Sequence, residues 1–251
     1  MKIVVIGGTG LIGSKLVKKL KEFGHDVIPA SPTLGVNSVT GEGLTEAFTG
    51  VDVVVDVANS PSYEDNDAMD FFETSSRNIL EAGEKAGIGH HIALSVVGTE
   101  RLLESGYFRA KMAQEKLIRE SGTPYTIIHS TQFFEILGTI AQSGSRGKSV
   151  HLSPALIQPI ASEDVADIMA TITLGDPFNN ALEIAGPDRF KLSDLMQTYF
   201  SETNDDRVVV SDVSARYFGA ELNNDTLVPG KNPYIGKINI DQWFRLQSKI
   251  N

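Results

Sequence analysis

Tyr107 and Lys111 stand four residues apart in the run Tyr107-Phe108-Arg109-Ala110-Lys111. On a helix that spacing puts both side chains on one face. A phenol and an ammonium so placed suit carbonyl reduction, in which hydride adds to carbon and a proton adds to oxygen. Tyr107 can donate that proton. Ser95 ends the preceding apolar run, twelve positions before Tyr107. Its hydroxyl can hold a substrate oxygen and stabilise the charge that develops there. The plainer alternative is a half-buried tyrosine with a lysine lying along the surface of an ordinary helix.

A source of hydride is suggested by Gly7-Gly8-Thr9-Gly10-Leu11-Ile12-Gly13. The run fits the dinucleotide fingerprint at Gly8, Gly10 and Gly13, and a GxxGxxG reading at Gly7, Gly10 and Gly13. Glycine there allows a tight turn, close backbone approach to a pyrophosphate and tight helix packing, and the helix that follows offers free N–H groups to the anion. A glycine turn without a ligand is the alternative. With a nicotinamide in place the Tyr–Lys pair gains a second use. An ordinary phenol pKa of about 10 is too high for a base near neutral pH. The Lys111 ammonium and the positive oxidised nicotinamide both favour phenolate, and Lys111 can also bond the nicotinamide ribose. The run Pro29-Ala30-Ser31-Pro32 carries neither an acid for the 2′-hydroxyl nor an arginine for a 2′-phosphate. With no carboxylate to repel that phosphate and Ser31 able to bond it, NADP(H) is expected over NAD(H).

Alternating strand and helix patterns must position these groups. Strands are expected at Lys2–Ile6, Val27–Ala30, Val51–Val57, His90–Ser95 and Pro124–His129, and helices at Gly13–Phe23, Gly43–Phe48, Asp67–Ala86 and Gly106–Ser121. Such alternation implies an α/β fold, a Rossmann doubly wound parallel sheet. Ile140–Gly147 reads as a loop or helix end. Helices at Ser162–Leu174 and Leu192–Phe200 and strands at Ala181–Ile184 and Arg207–Ser211 follow, and the chain breaks into turns from Leu227. One NAD(P)-binding domain over 1–251 is expected, with a small substrate-side subdomain drawn mainly from 133–160 and 185–251.

The chain resembles the short-chain dehydrogenase/reductase superfamily, and within it the atypical, NmrA-like NAD(P)H-binding branch. Val5–Gly13 is similar to the cofactor loop, with Ile6 in place of the usual threonine, and Ser95, Tyr107 and Lys111 are similar to the family triad. Val53–Asn59 resembles the strand whose end touches adenosine and nicotinamide ribose, which implies cofactor contacts for Ala58 and Asn59. Ile160–Ala166 and Leu182–Pro187 resemble the returning helix and the strand entering the C-terminal subdomain. The resemblance also implies that Ser130, Thr131, Gln132 and Phe133 face the nicotinamide and substrate, with Gln132 bonding a carboxamide or a substrate polar group. Val97, Phe133, Phe134, Tyr217 and Phe218 are expected to line the substrate pocket, though each aromatic could equally be core. Phe72–Leu80 resembles a helix of extended members, with Asn78 matched. Phe72, however, stands where those members often carry a catalytic asparagine.

The function expected is hydride transfer between NADP(H) and a small carbonyl or alcohol. The rivals are a non-enzymatic NAD(P)-sensing regulator, which the Tyr–Lys pair argues against, and a sugar-nucleotide epimerase or dehydratase. Of the 251 residues 41% are hydrophobic and 22% charged, and the net charge is −10. That charge disfavours nucleic acid. The lysines at 15, 18, 19 and 21 read as a solvated helix face. No apolar run is long enough for a bilayer, and the opening Met1-Lys2 leads straight into a strand, so a cytoplasmic protein is expected, as monomer or homodimer. There are no cysteines. His90-His91 reads as strand-start surface, and no metal is expected.

Overall fold

The computed structural model describes residues 1–62 and 64–248. Its elements run β1 (Lys2–Ile6), α1 (Leu11–Glu22), β2 (Asp26–Ala30), α2 (Leu44–Ala47), β3 (Val53–Asp56), α3 (Asp65–Ala86), β4 (His90–Val96), α4 (Gly106–Glu120) and β5 (Tyr125–Ser130), then α5 (Leu137–Ser143), β6 (Ser145–Arg146), β7 (Ser149–Leu152), β8 (Leu156–Ile157), α6 (Ser162–Thr173), β9 (Asn180–Ala185), β10 (Phe190–Lys191), α7 (Leu192–Thr203), β11 (Val208–Ser211), β12 (Tyr234–Ile235) and α8 (Ile240–Gln247). Seven strands form a parallel sheet in the order β12-β9-β5-β4-β3-β1-β2. The doubly wound α/β fold expected from the alternation is the one observed.

Two compact units make up the chain. The first comprises residues 1–95, 106–129 and 165–182. Its strands are valine and isoleucine runs buried on both faces, as strands covered by helices on either side must be. On one face Val4, Ile6 and Val54 pack with Leu44, Phe48, Ile79 and Ile88. Ala68, Phe72 and Ala110 close the seam between α3 and α4, with Tyr107 against its edge. Register sets the site. Ile6 lies level with Ala30 and Asp56, and Asp56 level with Ala93. The loops after β1, β2 and β3 therefore leave the sheet side by side. Successive strands lie on opposite sides of β1, so the order reverses between β1 and β3, the place where open α/β sheets hold ligands.

The second unit comprises residues 96–105, 130–164 and 183–251. Within it, positions 249–251 lie outside the described residues. It holds the small sheets β11-β7-β6 and β10-β8. Ile140–Gly147, read as a loop or helix end, holds the end of α5 at Ser143 and the two-residue strand β6. The stretch read as turns also contains α8, started by a capping box between Asn239 and Gln242. Trp243 of α8 stacks on Phe134 and donates Nε1–H to Glu135 Oε1 at 3.0 Å. Among the described residues no helix is long and apolar enough to cross a membrane.

The histidine pair corrects an expectation. His90 and His91 are 3% and 1% exposed, not on the surface, because β4 is a central strand covered on both faces. His90 Nε2 lies 2.8 Å from Thr126 Oγ1, whereas neither ring nitrogen of His91 has a hydrogen-bond partner among the described residues. Burial lowers the pKa of each from 6.5 to about 4, the charge of His90 adding to the effect on His91 and Asp176 opposing it at His90. Between pH 6.5 and 4 the unfolded chain takes up protons that the folded chain refuses, so stability is lost as pH falls through that window. One such group changes stability by up to about 1.4 kcal/mol per pH unit, or about 3–6 °C in Tm for a chain of this size. His91→Leu should flatten this part of the Tm-against-pH curve and raise Tm at pH 5, since the imidazole it removes makes no hydrogen bond. Thermal melts of both proteins across pH 4–8 are the check; parallel curves would show that His91 does not titrate on unfolding.

Candidate active site

The glycine loop is built from backbone contacts. Gly7 and Gly8 donate their N–H groups to Ala30 O at 2.9 and 3.1 Å, and Gly10 N–H donates to Gly7 O at 2.9 Å. Gly7 adopts φ +78°, and a β carbon there would stand 2.9 Å from the Ala58 backbone, so this glycine lets the loops after β1 and β3 touch. At Gly8 a β carbon would meet Pro29 and Val5 O at 2.7 Å, and at Gly13 it would run into the Gly7 carbonyl. Gly10 differs. Its nearest neighbour is Gly7 O at 3.3 Å, and the space its side chain would take is otherwise open. Gly10 is also the N-cap of α1, with no side-chain cap and no acid in the first turn. The amides of Leu11, Ile12 and Gly13 thus have no acceptor within the helix. An open, uncapped helix start flanked by the exposed Thr9 fits a pyrophosphate.

Ser31, expected at the cofactor's 2′ position, lies on the turn after β2. Ser31 is buried there, its Oγ 3.0 Å from Thr33 Oγ1. Asn78 anchors the following loop by donating Nδ2–H to Ser38 O and Val39 O, both at 2.9 Å.

Tyr107 and Lys111 share α4 but not an environment. Tyr107 is half-buried and donates its hydroxyl to Asn59 Oδ1 at 3.0 Å, just beyond Ala58. The start of α4 is held by an Arg109–Asp65 ion pair of 2.6 Å and by Gly106 lying directly against Asp65. Lys111, expected to reach a ribose, instead turns inward and is 2% exposed. Its ammonium donates to Leu94 O at 2.9 Å and to Gln114 Oε1, and sits 4.4 Å from the centre of the Phe72 ring. Burial lowers the Lys111 pKa from 10.5 to about 8, against the opposing charges of Asp56 and Glu115. Phe72 itself meets the edge of Tyr107, their ring centroids 5.8 Å apart.

Ser95 is placed differently from expectation. It is buried, and its hydroxyl donates to Glu115 Oε1 at 2.6 Å. Glu115 also lies 2.9 Å from His129 Nε2 and 3.1 Å from Arg119. Burial alone would raise the Glu115 carboxyl, but these partners outweigh it and hold the pKa below the usual value.

Asp56 and Gln114 were not among the residues expected from the sequence. Asp56 is 3% exposed and accepts from Ala58 N and Gln114 Nε2, both at 3.0 Å. Burial raises its pKa, opposed by the Ala58 hydrogen bond and by Lys111 and Gln114. The signal was present: a carboxylate closing a run of buried valines needs a partner in the interior.

The other expected residues belong to the second unit. Val97 is buried and donates its N–H to Ser130 O at 2.8 Å; Ser130 Oγ donates to Thr131 O at 2.9 Å. Gln132 is 4% exposed, yet neither atom of its amide nor Thr131 Oγ1 has a hydrogen-bond partner among the described residues. Buried polar atoms are rarely left so, and these fit a ligand that both donates and accepts. Phe133 is half-buried, Phe134 is taken up by its stack on Trp243, and the rings of Tyr217 and Phe218 meet edge-on at 4.8 Å. Among the described residues no group of His, Asp and Glu could hold a metal.

A parallel sheet with an open glycine loop at the point where its strand order reverses defines a dinucleotide-binding α/β protein. The chain belongs to the NAD(P)H-binding family, whose sequence model matches residues 7–175. The likeness to atypical short-chain dehydrogenases/reductases is borne out. The chain is 29% identical to divinyl chlorophyllide a 8-vinyl-reductase of Cucumis sativus, over 74% of this chain and 53% of that one. With the photosystem II assembly factor Ycf39 of Cyanophora paradoxa it shares 24% identity over 78% and 67% of the two chains. It thus spans about half the length of the reductase it matches. The fold is also that of UDP-glucose 4-epimerase from Thermotoga maritima, at a TM-score of 0.74, 18% identity and 100% coverage of both chains.

The loop geometry separates two kinds of glycine. Gly10→Val should abolish NADPH binding with the far-UV CD spectrum unchanged, because its side chain would enter open space where a pyrophosphate fits. Gly13→Ala should instead cost about 1–3 kcal/mol by overpacking, seen as a fall in Tm. Fluorescence titration with NADPH and thermal melts check both; full affinity in Gly10→Val would place the phosphates elsewhere.

Proposed function

We propose that the chain is an NAD(P)H-dependent oxidoreductase that transfers hydride between NADP(H) and a small carbonyl or alcohol. The observation that carries this reading is the Tyr107 hydroxyl, half-buried and held at 3.0 Å by Asn59, beside the segment on which Gly7 packs. The bound nicotinamide supplies or accepts hydride. Tyr107 then gives its proton to the substrate oxygen, leaving Asn59 for that oxygen as it does so. Lys111 favours the resulting phenolate through its charge. Ser95 has its hydroxyl committed to Glu115, so the acid–base work rests on Tyr107. The amide of Gln132, without a hydrogen-bond partner among the described residues, suits a ligand group that both donates and accepts.

NADP(H) is favoured over NAD(H) because no carboxylate follows β2, where Ser31 and Thr33 bring two hydroxyls together. Titration should give a lower Kd for NADPH than for NADH; the reverse order would overturn the preference. The rival is a cofactor-sensing protein without turnover, favoured by Phe72 standing at the place of a catalytic asparagine. Tyr107→Phe distinguishes the two. In an oxidoreductase it should lower kcat by at least about a hundredfold with nucleotide affinity retained, because the ring and its packing survive. NADPH-oxidation assays against aldehydes, ketones and quinones, with nucleotide titration alongside, provide the measurement. Near-normal kcat with chemistry rate-limiting would remove Tyr107 as the acid.

A further inference from the structure

We infer that Asp56 is a positioning residue for Lys111: acting through Gln114, it fixes the ammonium in the interior and keeps it charged. The inference rests on the oxidoreductase reading for its catalytic consequence, but not for its geometry. An ammonium has three hydrogens, and Lys111 has three inward partners to receive them: Leu94 O, Gln114 Oε1 and the face of Phe72. Gln114 is used at both ends, its carbonyl taken by Lys111 and its Nε2–H given to Asp56 Oδ2 at 3.0 Å. Asp56 Oδ1 in turn accepts from Ala58 N. A continuous run of hydrogen bonds therefore leads from the loop after β3 to the carbonyl of β4, crossing α4 twice.

The charges on every side of Lys111 single out Asp56. Phe72 covers it from α3, and Leu94 presents a carbonyl from β4. Two carboxylates act on it, Asp56 from β3 and Glu115 from α4. Glu115 is already met by Arg119, His129 and Ser95. Among the described residues Asp56 has neutral donors besides Lys111, the Ala58 amide and the Gln114 amide. It is thus the negative charge left to balance the ammonium, and it is the larger of the two opposing influences on the lysine. Without it, burial would strip the proton from Lys111 at lower pH. The same carboxylate holds Ala58, next to the asparagine that receives the Tyr107 hydroxyl. One buried group thereby ties the lysine's charge to the phenol's position.

The test is NMR of full-length protein labelled with ¹³C at the lysine ε carbon, the Lys111 signal being assigned by its loss in Lys111→Met. In the native protein this signal should titrate near pH 8, well below the ordinary lysine value of 10.5. Asp56→Asn keeps the shape and the Gln114 contact but removes the charge, and should lower the midpoint by about one pH unit, a tenfold loss of proton affinity. Glu115→Gln should lower it less. An unmoved midpoint in Asp56→Asn, or a larger shift in Glu115→Gln, overturns the inference. Should Asp56→Asn fail to fold, Gln114→Met decides: a lowered midpoint supports the link, and an unmoved one rejects it. With a reducible substrate, the alkaline limb of the kcat–pH profile should move in the same direction. A moved NMR midpoint without turnover on any carbonyl would leave the Asp56–Lys111 link standing and remove the oxidoreductase reading. Turnover with an unmoved midpoint would do the reverse.

Discussion

Taking the Lys111 ammonium out of water constrains everything packed around it. A lone buried charge costs several kilocalories per mole or sheds its proton. This one is kept by a carbonyl from β4, an amide from its own helix, an aromatic face from α3 and a carboxylate from β3. The first three stand within hydrogen-bond or ring-contact distance, and the carboxylate is joined to the ammonium through Gln114. The four elements are thus fixed relative to one another by polar contacts more directional than apolar packing. Replacing a buried ion pair with apolar residues is often neutral or stabilising. A polar interior here therefore argues for positional exactness and a charge near Tyr107, not for added stability.

The Glu115 cluster works beside it on the same helix. It joins β4 through Ser95 and β5 through His129, and is completed by Arg119 one turn along α4. Between them, Gln114 and Glu115 connect α4 to three neighbouring strands. The first turn of α4 is pinned separately by Arg109 and Gly106 against Asp65. Tyr107 thus sits at the end of a helix that is held along its length, with its phenol donating to the exposed Asn59.

The fold was legible because valine runs, helical spacing and the opening glycines agreed with one another. The Gly7–Gly13 loop was readable for the same reason: strand, turn and helix are contiguous in sequence. What failed were inferences about direction. Lys111 was placed beside Tyr107 by helical spacing and Ser95 by its place at the end of a strand, and neither says whether a side chain faces a ligand or a neighbouring element. His90 and His91 read as the exposed start of a strand, yet a central strand buries whatever it carries. The short strands β6, β8 and β10, of two residues each, are too brief to show a period. The start of α8 was recoverable, since Asn239 and Gln242 have the spacing of a capping box, but the Pro-Gly and Asn-Pro pairs before it drew the whole tail into turns.

Phe72 is where sequence and geometry bear on each other most directly. Read as a substitution, it removes an amide that could carry protons by way of water. In the structure it fills the α3–α4 seam, meets the edge of Tyr107 and lays its face under the Lys111 ammonium. A ring in that position excludes water where an amide would bind it, and it offers the ammonium a contact with no exchangeable hydrogen. It therefore cannot pass a proton between Lys111 and Tyr107. On the proposed reading, the lysine acts on the phenol through its field alone, which is strengthened by the low dielectric that Phe72 maintains. The proton lost to substrate must then return to Tyr107 from its half-exposed side, the side occupied by Asn59 and open to solvent. Confining the charge to the interior and the proton to the surface explains why the lysine is given a buried carboxylate, while the tyrosine donates to an exposed amide.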